Sequence, residues 1–461
     1  MPRQHRHRRH HKRTGRHDHY EEEEEERVAP QNDDPFAPND EDTPATAVSQ
    51  QQPSQQRRSS FTAVPVSQAV PVVAEAAIHQ DPHNRGSFRR SASLNMTQMS
   101  GPGGTSNRAS RKLETKQYTE LIREGYSTGL ARALVENVDT FDFRFWLVDN
   151  SGSMLIGDGH RYVPSGKGDG SLKTVPSTRW AEITQTVRYH AKLAALLDSP
   201  TIFQLLNDPN LRTIPQRFSV CERGEAYAAA EVVEALNIMR RVSPSGVTPL
   251  TQHIWDIQQN ISSMAQELRR KGKKVALILA TDGLPTDEQG CGGQEITDAF
   301  VRALRSLEGL PIWIVIRLCT DEADVTEFYN SLDDELELSL EVIDDYKGEA
   351  QEVYEVNKWI CYGVPLHRCR ELGYHNRLFD LIDERPFTKE ELRSFCCLLF
   401  GIEEEDLPDP AVNFDEFLSE VTVRLQTEQM QWNPIKKKMT PWILTKELKK
   451  AYADSKVCVI S

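Results

Sequence analysis

Residues 143–154 read FRFWLVDNSGSM: an apolar run that stops in an acidic residue, followed by two serines separated by a single glycine. So short and so continuously apolar a run, rich in aromatics, is the pattern of a strand buried on both faces rather than of an amphipathic helix. A second run, KVALILATD (274–282), ends the same way, in Asp282 followed by Gly283. Around these two lie stretches with helical periodicity, TRWAEITQTVRYHAKLAALL (178–197), EVVEALNIMRRV (231–242), TPLTQHIWDIQQNISSMAQELRRKG (248–272) and EITDAFVRALRSLEG (295–309), and a further apolar run, PIWIVIRL (311–318). Strand and helix patterns that alternate in this way predict an α/β fold, a doubly wound, mainly parallel sheet flanked by helices. In such sheets ligands bind outside the carboxyl ends of the strands, where Asp149 and Asp282 fall.

The residues at those ends suit a hard cation. Mg²⁺ takes near-octahedral oxygen ligands and tolerates one or two carboxylates, with hydroxyls and waters filling the remaining positions. Asp149, Ser151 and Ser153 supply that mixture from one loop, with Gly152 allowing the tight turn. A second loop, PSGVTPL (244–250), offers Thr248 beside Gly246, with Pro249 expected in the first turn of a helix, and a third offers Asp282.

D-x-S-x-S after one buried strand, G-x-T-P-L before a helix, and A-T-D-G after another strand resemble, together and in this order, the von Willebrand factor type A domain over roughly residues 140–345. The resemblance implies that Asp149, Ser151, Ser153, Thr248 and Asp282 form a metal-ion-dependent adhesion site for Mg²⁺ (or Mn²⁺). It also implies one coordination position left for an acidic side chain of a protein partner. Neutral hydroxyl ligands serve this purpose because they leave the bound ion net positive. One departure is the Gly-rich excursion at 154–180, unusually long for the family, which leaves from the metal face; a mobile surface loop is the simpler expectation for it, and the alternative is that Asp158, His160 or Asp169 reaches the site. The loop GLPTDEQGCGGQE (283–295) borders the same face and exposes Cys291.

No catalytic machinery accompanies this cluster. A haloacid-dehalogenase-type phosphatase would need a carboxylate two residues after its aspartate nucleophile, and Ser151 stands there instead. There is no P-loop, nucleophile elbow or Cys/His pair, and the expectation is a binding protein, not an enzyme.

The rest of the chain frames this domain. A net charge of −14 argues against nucleic acid as a partner, and the two ends are the basic parts. Residues 1–110 run through HRHRRHHKR, EEEEEE and SQQQPSQQRRSS and cannot offset ordering entropy, so a disordered region is expected there. Within it RRSSF and RRSASL place arginines before Ser60 and Ser93, a pattern resembling basophilic kinase sites. Residues 111–139 read as a short helical hairpin around Gly125-Tyr126, which resembles the first half of a ubiquitin-associated domain. Packing on the following domain is the simpler expectation for it. Residues 346–435 read as a helical extension that starts one helix with a Thr388-to-Glu391 capping box and buries Cys396, Leu398 and Phe400.

Residues 436–461 read as a polybasic tail. Its seven lysines (436, 437, 438, 446, 449, 450, 456) face only Glu447 and Asp454, and Thr440-Pro441 looks like a helix start that sets Trp442, Ile443, Leu448 and Tyr452 against membrane or protein. It ends in Cys458-Val459-Ile460-Ser461, which resembles a C-a-a-X farnesylation box. With no signal peptide and no run near the roughly 18 apolar residues of a membrane span, the expected location is cytoplasmic, lipid-anchored to a membrane face. Function is then expected to be metal-dependent protein–protein interaction at a membrane. The alternative is a ubiquitin-linked cytosolic adaptor or quality-control factor that uses the hairpin at 111–139.

Overall fold

The computed structural model describes residues 115–453 apart from residue 210. Ser60, Ser93, the basic tract at 5–13 and the C-a-a-X box with Cys458 lie outside the described residues.

The chain enters through helices α1 (Thr115–Arg123) and α2 (Thr128–Thr140), then β1 (Phe141–Val148). A single 3₁₀ turn, Gly152–Leu155, leads to strands β2 (Gly159–Pro164) and β3 (Leu172–Ser177) and helix α3 (Arg179–Leu196). Next come β4 (Thr201–Leu205), β5 (Arg217–Val220), α4 (Glu225–Arg241), α5 (Leu250–Lys271), β6 (Lys274–Thr281), α6 (Gln294–Arg305), β7 (Ile312–Leu318), α7 (Ala323–Glu335) and β8 (Leu340–Ile343). The remainder holds α8 (Tyr346–Val356), α9 (Val364–Glu371), α10 (Arg377–Leu381), α11 (Lys389–Phe400), α12 (Phe414–Arg424), β9 (Gln431–Asn433), β10 (Lys438–Thr440) and α13 (Thr445–Tyr452).

The expected α/β architecture is present as a six-stranded sheet in the order β5-β4-β1-β6-β7-β8. All neighbours are parallel except β5, the antiparallel edge. Alternation along β1 divides its side chains between two cores. Phe143, Phe145 and Leu147 meet α5, α6 and α7 on one face, while Trp146 and Val148 meet α3 and α4 on the other. Helices on both faces are what keep these strands apolar throughout. Because the chain winds outward from β1 to β4 and returns to β6, the crevice at the strands' carboxyl ends lies between β1 and β6.

A third core gathers α1 and α2 with helices α8 to α13. The hairpin at the N-terminal end therefore packs chiefly against the C-terminal helices, with Gly129 so close to Leu398 and Gly401 that a Cβ there would lie 1.8 Å from the Leu398 carbonyl oxygen. Cys396 and Phe400 are buried in this core and Leu398 is partly so, and Thr388 and Glu391 form the expected capping box. The chain from 436 to 453 departs from a tail. Thr440 closes β10 instead of capping a helix, α13 starts only at Thr445, and Trp442, Ile443, Leu448 and Tyr452 are buried in the protein. Tyr452 lies edge-on to Trp359, ring centroids 6.2 Å apart, and donates its hydroxyl to the Phe387 carbonyl at 2.8 Å.

A buried ion network joins this core to the sheet. Glu371 of α9 accepts hydrogen bonds from Arg368 Nη1 at 2.5 Å, His190 Nε2 at 2.9 Å and Arg317 Nε at 3.3 Å, and Arg317 also binds Glu182 of α3 at 2.5 Å. Burial alone pushes the Glu371 carboxyl up, but Arg368, His367 and the bond from His190 overcome it and hold the group well below the usual carboxylate range. Its stabilising contribution is therefore present above the unfolded carboxyl's pKa and is lost as pH falls through the depressed folded value. Glu371→Ala leaves Arg368 without its carboxylate and Arg317 with Glu182 alone, and is expected to cost about 3–5 kcal/mol, read as a lowered midpoint in denaturant.

Candidate metal centre

The two strand ends that the sequence singles out are adjacent in space. Val148 of β1 pairs with Ala280 of β6, and the Asp149 N–H donates to the Ala280 carbonyl at 2.8 Å, so Asp149 and Asp282 emerge side by side at the rim. Asp149 is fully buried. Its Oδ1 accepts from the Ser151 N–H at 2.8 Å and its Oδ2 from the Thr281 hydroxyl at 2.7 Å. Ser151 Oγ and Ser153 Oγ stand 2.9 Å apart, and Ser153 Oγ donates to Asp282 Oδ1 at 2.9 Å.

Thr248 arrives on a separate loop that is tied to the first. Gly152 N–H donates to the Gly246 carbonyl at 3.2 Å and Ser245 N–H to the Asn150 carbonyl at 2.8 Å. Gly246 has φ +95°, and a Cβ there would lie 2.7 Å from Asn207 Oδ1 on the loop after β4, so glycine suits both the backbone turn and the close passage of Asn207. Thr248 is held by its backbone, donating to Thr286 Oγ1 at 2.9 Å and accepting from Thr286 N–H at 2.9 Å. Pro249 occupies the N-cap position of α5, one residue ahead of the helical turn expected for it.

Several contributors carry no motif. Asn150 pins the rim by accepting from the Asn207 N–H at 2.7 Å and donating to the Asn207 carbonyl at 3.1 Å. Arg179, 2% exposed at the start of α3, donates to Asp282 Oδ2 at 3.1 Å, to Asp158 at 2.6 and 2.8 Å, and to Glu322 at 2.7 Å. Nothing marks it in the sequence beyond its place after the helix cap Thr178.

The excursion at 154–180 is an antiparallel hairpin, β2–β3. Of its polar residues only Asp158 reaches this neighbourhood, through Arg179. His160 turns to Asp345 at 3.8 Å, and Asp169 accepts from Ser171 at the hairpin's far end. Cys291 is exposed, as expected. Tyr126, the aromatic of the Gly125-Tyr126 turn, is buried with its hydroxyl 2.8 Å from that of Tyr189, so it presents no ring to a partner.

The donor set fits a small hard cation. Asp149, Ser151, Ser153 and Asp282 bring carboxylate and hydroxyl oxygens together within hydrogen-bond reach of their neighbours, the donor chemistry that such a cation takes. Asp149, Ser151, Ser153, Thr248 and Asp282 would hold the ion, and it would supply a positive centre for an outside anion.

The carboxylates meanwhile lack a full complement of positive charge. Burial first, then the neighbouring Asp282, pushes Asp149 from 3.8 up to about 6 against the bonds from Ser151 and Thr281. Burial likewise raises Asp282, opposed by Arg179 and Ser153. By contrast, Glu349, Glu352 and Asp383, whose oxygens lie within 4.8 Å of one another, are penetrated by Arg370, which pairs with Glu349 and with Asp383. A second concavity of about 640 Å³, walled by Tyr162, Tyr189, Pro365, Trp432 and Met439, shares no residue with the metal cluster.

No family model matches the sequence, and no curated protein matches it significantly.

Since the folded state binds the Asp149 proton more tightly than the unfolded chain does, this group's contribution to stability is full below about pH 4 and declines as pH rises through about 6. The ionised, metal-free site costs roughly 3 kcal/mol at neutral pH by this group alone. Asp149→Asn is therefore expected to be more stable than the wild type by about 1–2 kcal/mol at pH 7.5 in EDTA, with the advantage gone near pH 4. Thermal unfolding across that pH range measures it.

Proposed function

We propose that the protein is a non-catalytic interaction module that grips an acidic side chain of a protein partner through Mg²⁺ or Mn²⁺ held by Asp149, Ser151, Ser153, Thr248 and Asp282. The single observation that carries this reading is the convergence of two desolvated carboxylates and neighbouring hydroxyls at the β1–β6 crevice. Their order along the chain is that of the von Willebrand factor type A domain, and the site lies where a doubly wound sheet binds ligands. Leu155 and Ile156, 55% and 44% exposed, follow Ser153 after the buried Met154 and offer an apolar rim to a protein surface. No carboxylate stands two residues after Asp149 to serve as acid or base, which favours binding over catalysis.

Asp149→Ala, Thr248→Ala and Asp282→Ala are each expected to weaken divalent binding by more than about tenfold while leaving the circular dichroism spectrum unchanged. Calorimetric titration with Mg²⁺ and Mn²⁺ measures this, and undiminished binding in all three variants would sink the assignment. A pull-down with and without EDTA then asks whether a partner depends on the ion.

The second element of the proposal is attachment to the cytoplasmic face of a membrane by a farnesyl group on Cys458, assisted by nearby lysines. One lipid chain gives marginal attachment, and basic residues near an anionic leaflet add about 1 kcal/mol each. Lys437 and Lys438 are exposed on the β9–β10 turn and suit that role, whereas Lys436 faces Glu447 at 3.7 Å and Lys449 faces Asp415 at 3.1 Å. Cys458→Ser is expected to move the protein to the soluble fraction of cells. Lys437→Gln with Lys438→Gln is expected to weaken attachment partly and reduce its salt sensitivity.

A further inference from the structure

Arg179 is a permanent positive charge placed where a divalent ion would have to compete with it. Its guanidinium is 2% exposed and cannot be deprotonated in a protein. Nη1 holds Asp282 Oδ2 at 3.1 Å, while the other oxygen of the same carboxylate, Oδ1, receives the Ser153 hydroxyl at 2.9 Å. An ion lodged among Asp149, Ser151, Ser153 and Asp282 therefore shares one carboxylate with a guanidinium on its far side. Like charges at that separation repel strongly in a partly buried site.

The same guanidinium is also held by two surface carboxylates. Asp158, at the foot of β2, takes Nε at 2.8 Å and Nη2 at 2.6 Å, and Glu322, before α7, takes Nη2 at 2.7 Å. Both are about half exposed, at 48% and 57%, so their hold on Arg179 is open to solvent and to other charges. Three loops, after β1, β6 and β7, thus meet on one side chain.

We infer that Arg179 is a built-in counter-ion of Asp282 that lowers the affinity of the site for divalent cations, and that Asp158 and Glu322 set how strongly it does so. Resting on the metal assignment above, this makes Arg179 a positioning residue. It fixes Asp282 with a single oxygen turned to the serines and keeps the site only partly compensated. Electrons donated by Asp282 are divided between guanidinium and metal, so an ion bound there keeps more of its charge for an outside carboxylate.

The experiment is calorimetric titration of the full chain with MgCl₂ and MnCl₂, paired with thermal unfolding in EDTA, for wild type, Arg179→Gln, Arg179→Lys and the double variant Asp158→Asn/Glu322→Gln. Arg179→Gln is expected to bind Mg²⁺ at least tenfold more tightly while its melting temperature in EDTA falls. A merely structural role would lower both. Arg179→Lys keeps the charge and is expected to stay within a few-fold of the wild-type affinity. The surface double variant leaves the guanidinium to Asp282 alone and is expected to weaken Mg²⁺ binding several-fold at about 0.5 M NaCl as well as at low salt, whereas the mere loss of two exposed charges would weaken it only at low salt.

Arg179→Gln folded by circular dichroism but binding no more tightly than wild type overturns the inference. So does a double variant with unchanged or higher affinity, or one weakened only at low salt, and that variant decides the matter alone if Arg179→Gln does not fold. Wild type that binds neither ion defeats the metal assignment and this inference together. Wild type that binds while the variants leave affinity unmoved defeats this inference only.

Discussion

The carboxylate of Glu371 is the point on which the joining of sheet and helices depends. It is fully buried, and no water is needed to satisfy it, because α3 sends His190, β7 sends Arg317 and its own helix sends Arg368. A lone carboxylate in that position would lose far more by leaving water than any one of these partners returns. With all of them in place the group is held ionised, and the geometry is unforgiving: each partner comes from a different element, so the helices after β8 can dock on α3 in only one register. The neighbouring Arg144 extends the same logic along β1. It is buried and bound to Asn137 of α2 at 2.8 Å, to Ser199 before β4 at 2.7 Å and to the Leu372 carbonyl after α9 at 3.0 Å.

The rim at the β1–β6 crevice is arranged in the reverse sense. Around Glu371 each carboxylate meets a guanidinium, Arg368 and Arg317 for Glu371 and Arg317 for Glu182, whereas at the β1–β6 crevice two carboxylates are desolvated and Arg179 pairs with one of them, Asp282. Asp149 is held by two donors, neither of them charged. Burial raises both carboxyls of the rim, and the hydroxyls of Ser151 and Ser153 converge beside them. The two sites also differ in enclosure. Glu371 is sealed by α9 and α3, while Ser153 opens to a turn whose next residues but one, Leu155 and Ile156, stand in solvent.

The parallel sheet was legible because β1, β6 and β7 are apolar on both faces, and the grouping of Asp149, Ser151, Ser153 and Asp282 because both aspartates sit at strand ends that a parallel sheet brings side by side. What could not be read was the packing of polar residues against polar residues. Thr440-Pro441 has the chemistry of a helix start, yet Trp442 and Ile443 are drawn into the core beside Trp359 and the backbone stays extended, with Ile443 bridged to Ile360. Tertiary burial overrides a local cap preference of about 1 kcal/mol. Glycine, serine and aspartate in 154–180 read equally as a loop and as a hairpin, since β2 and β3 are half-exposed strands whose pairing is settled by Tyr162 lying edge-on against Tyr346 at 4.8 Å. Arg179 was invisible for a simpler reason: an arginine in the first turn of a helix is ordinarily a solvated residue, and only the arrival of Asp158, Asp282 and Glu322 from three loops makes it otherwise.

Helix α3 shows the same limit at larger scale and connects the two sites. Arg179, Glu182, Thr186 and His190 recur at intervals of three and four residues and so form one stripe. From sequence that stripe is the solvated face of an amphipathic helix. In the fold all four are buried, at 7% exposure or less, because each meets a charged or polar partner: Asp282 for Arg179, Arg317 for Glu182, Arg368 for Thr186 and Glu371 for His190. The first member touches the crevice and the last touches the anchor of the helical core, about 16 Å further along the axis. A helix held at both ends by ion pairs in a dry interior has little freedom to slide without breaking several of them at once. The position of Arg179 relative to Asp282 is therefore set also by Glu371 and the helices that deliver it, acting along α3 through His190 and through the Arg317–Glu182 pair, a contact with which the crevice shares no residue.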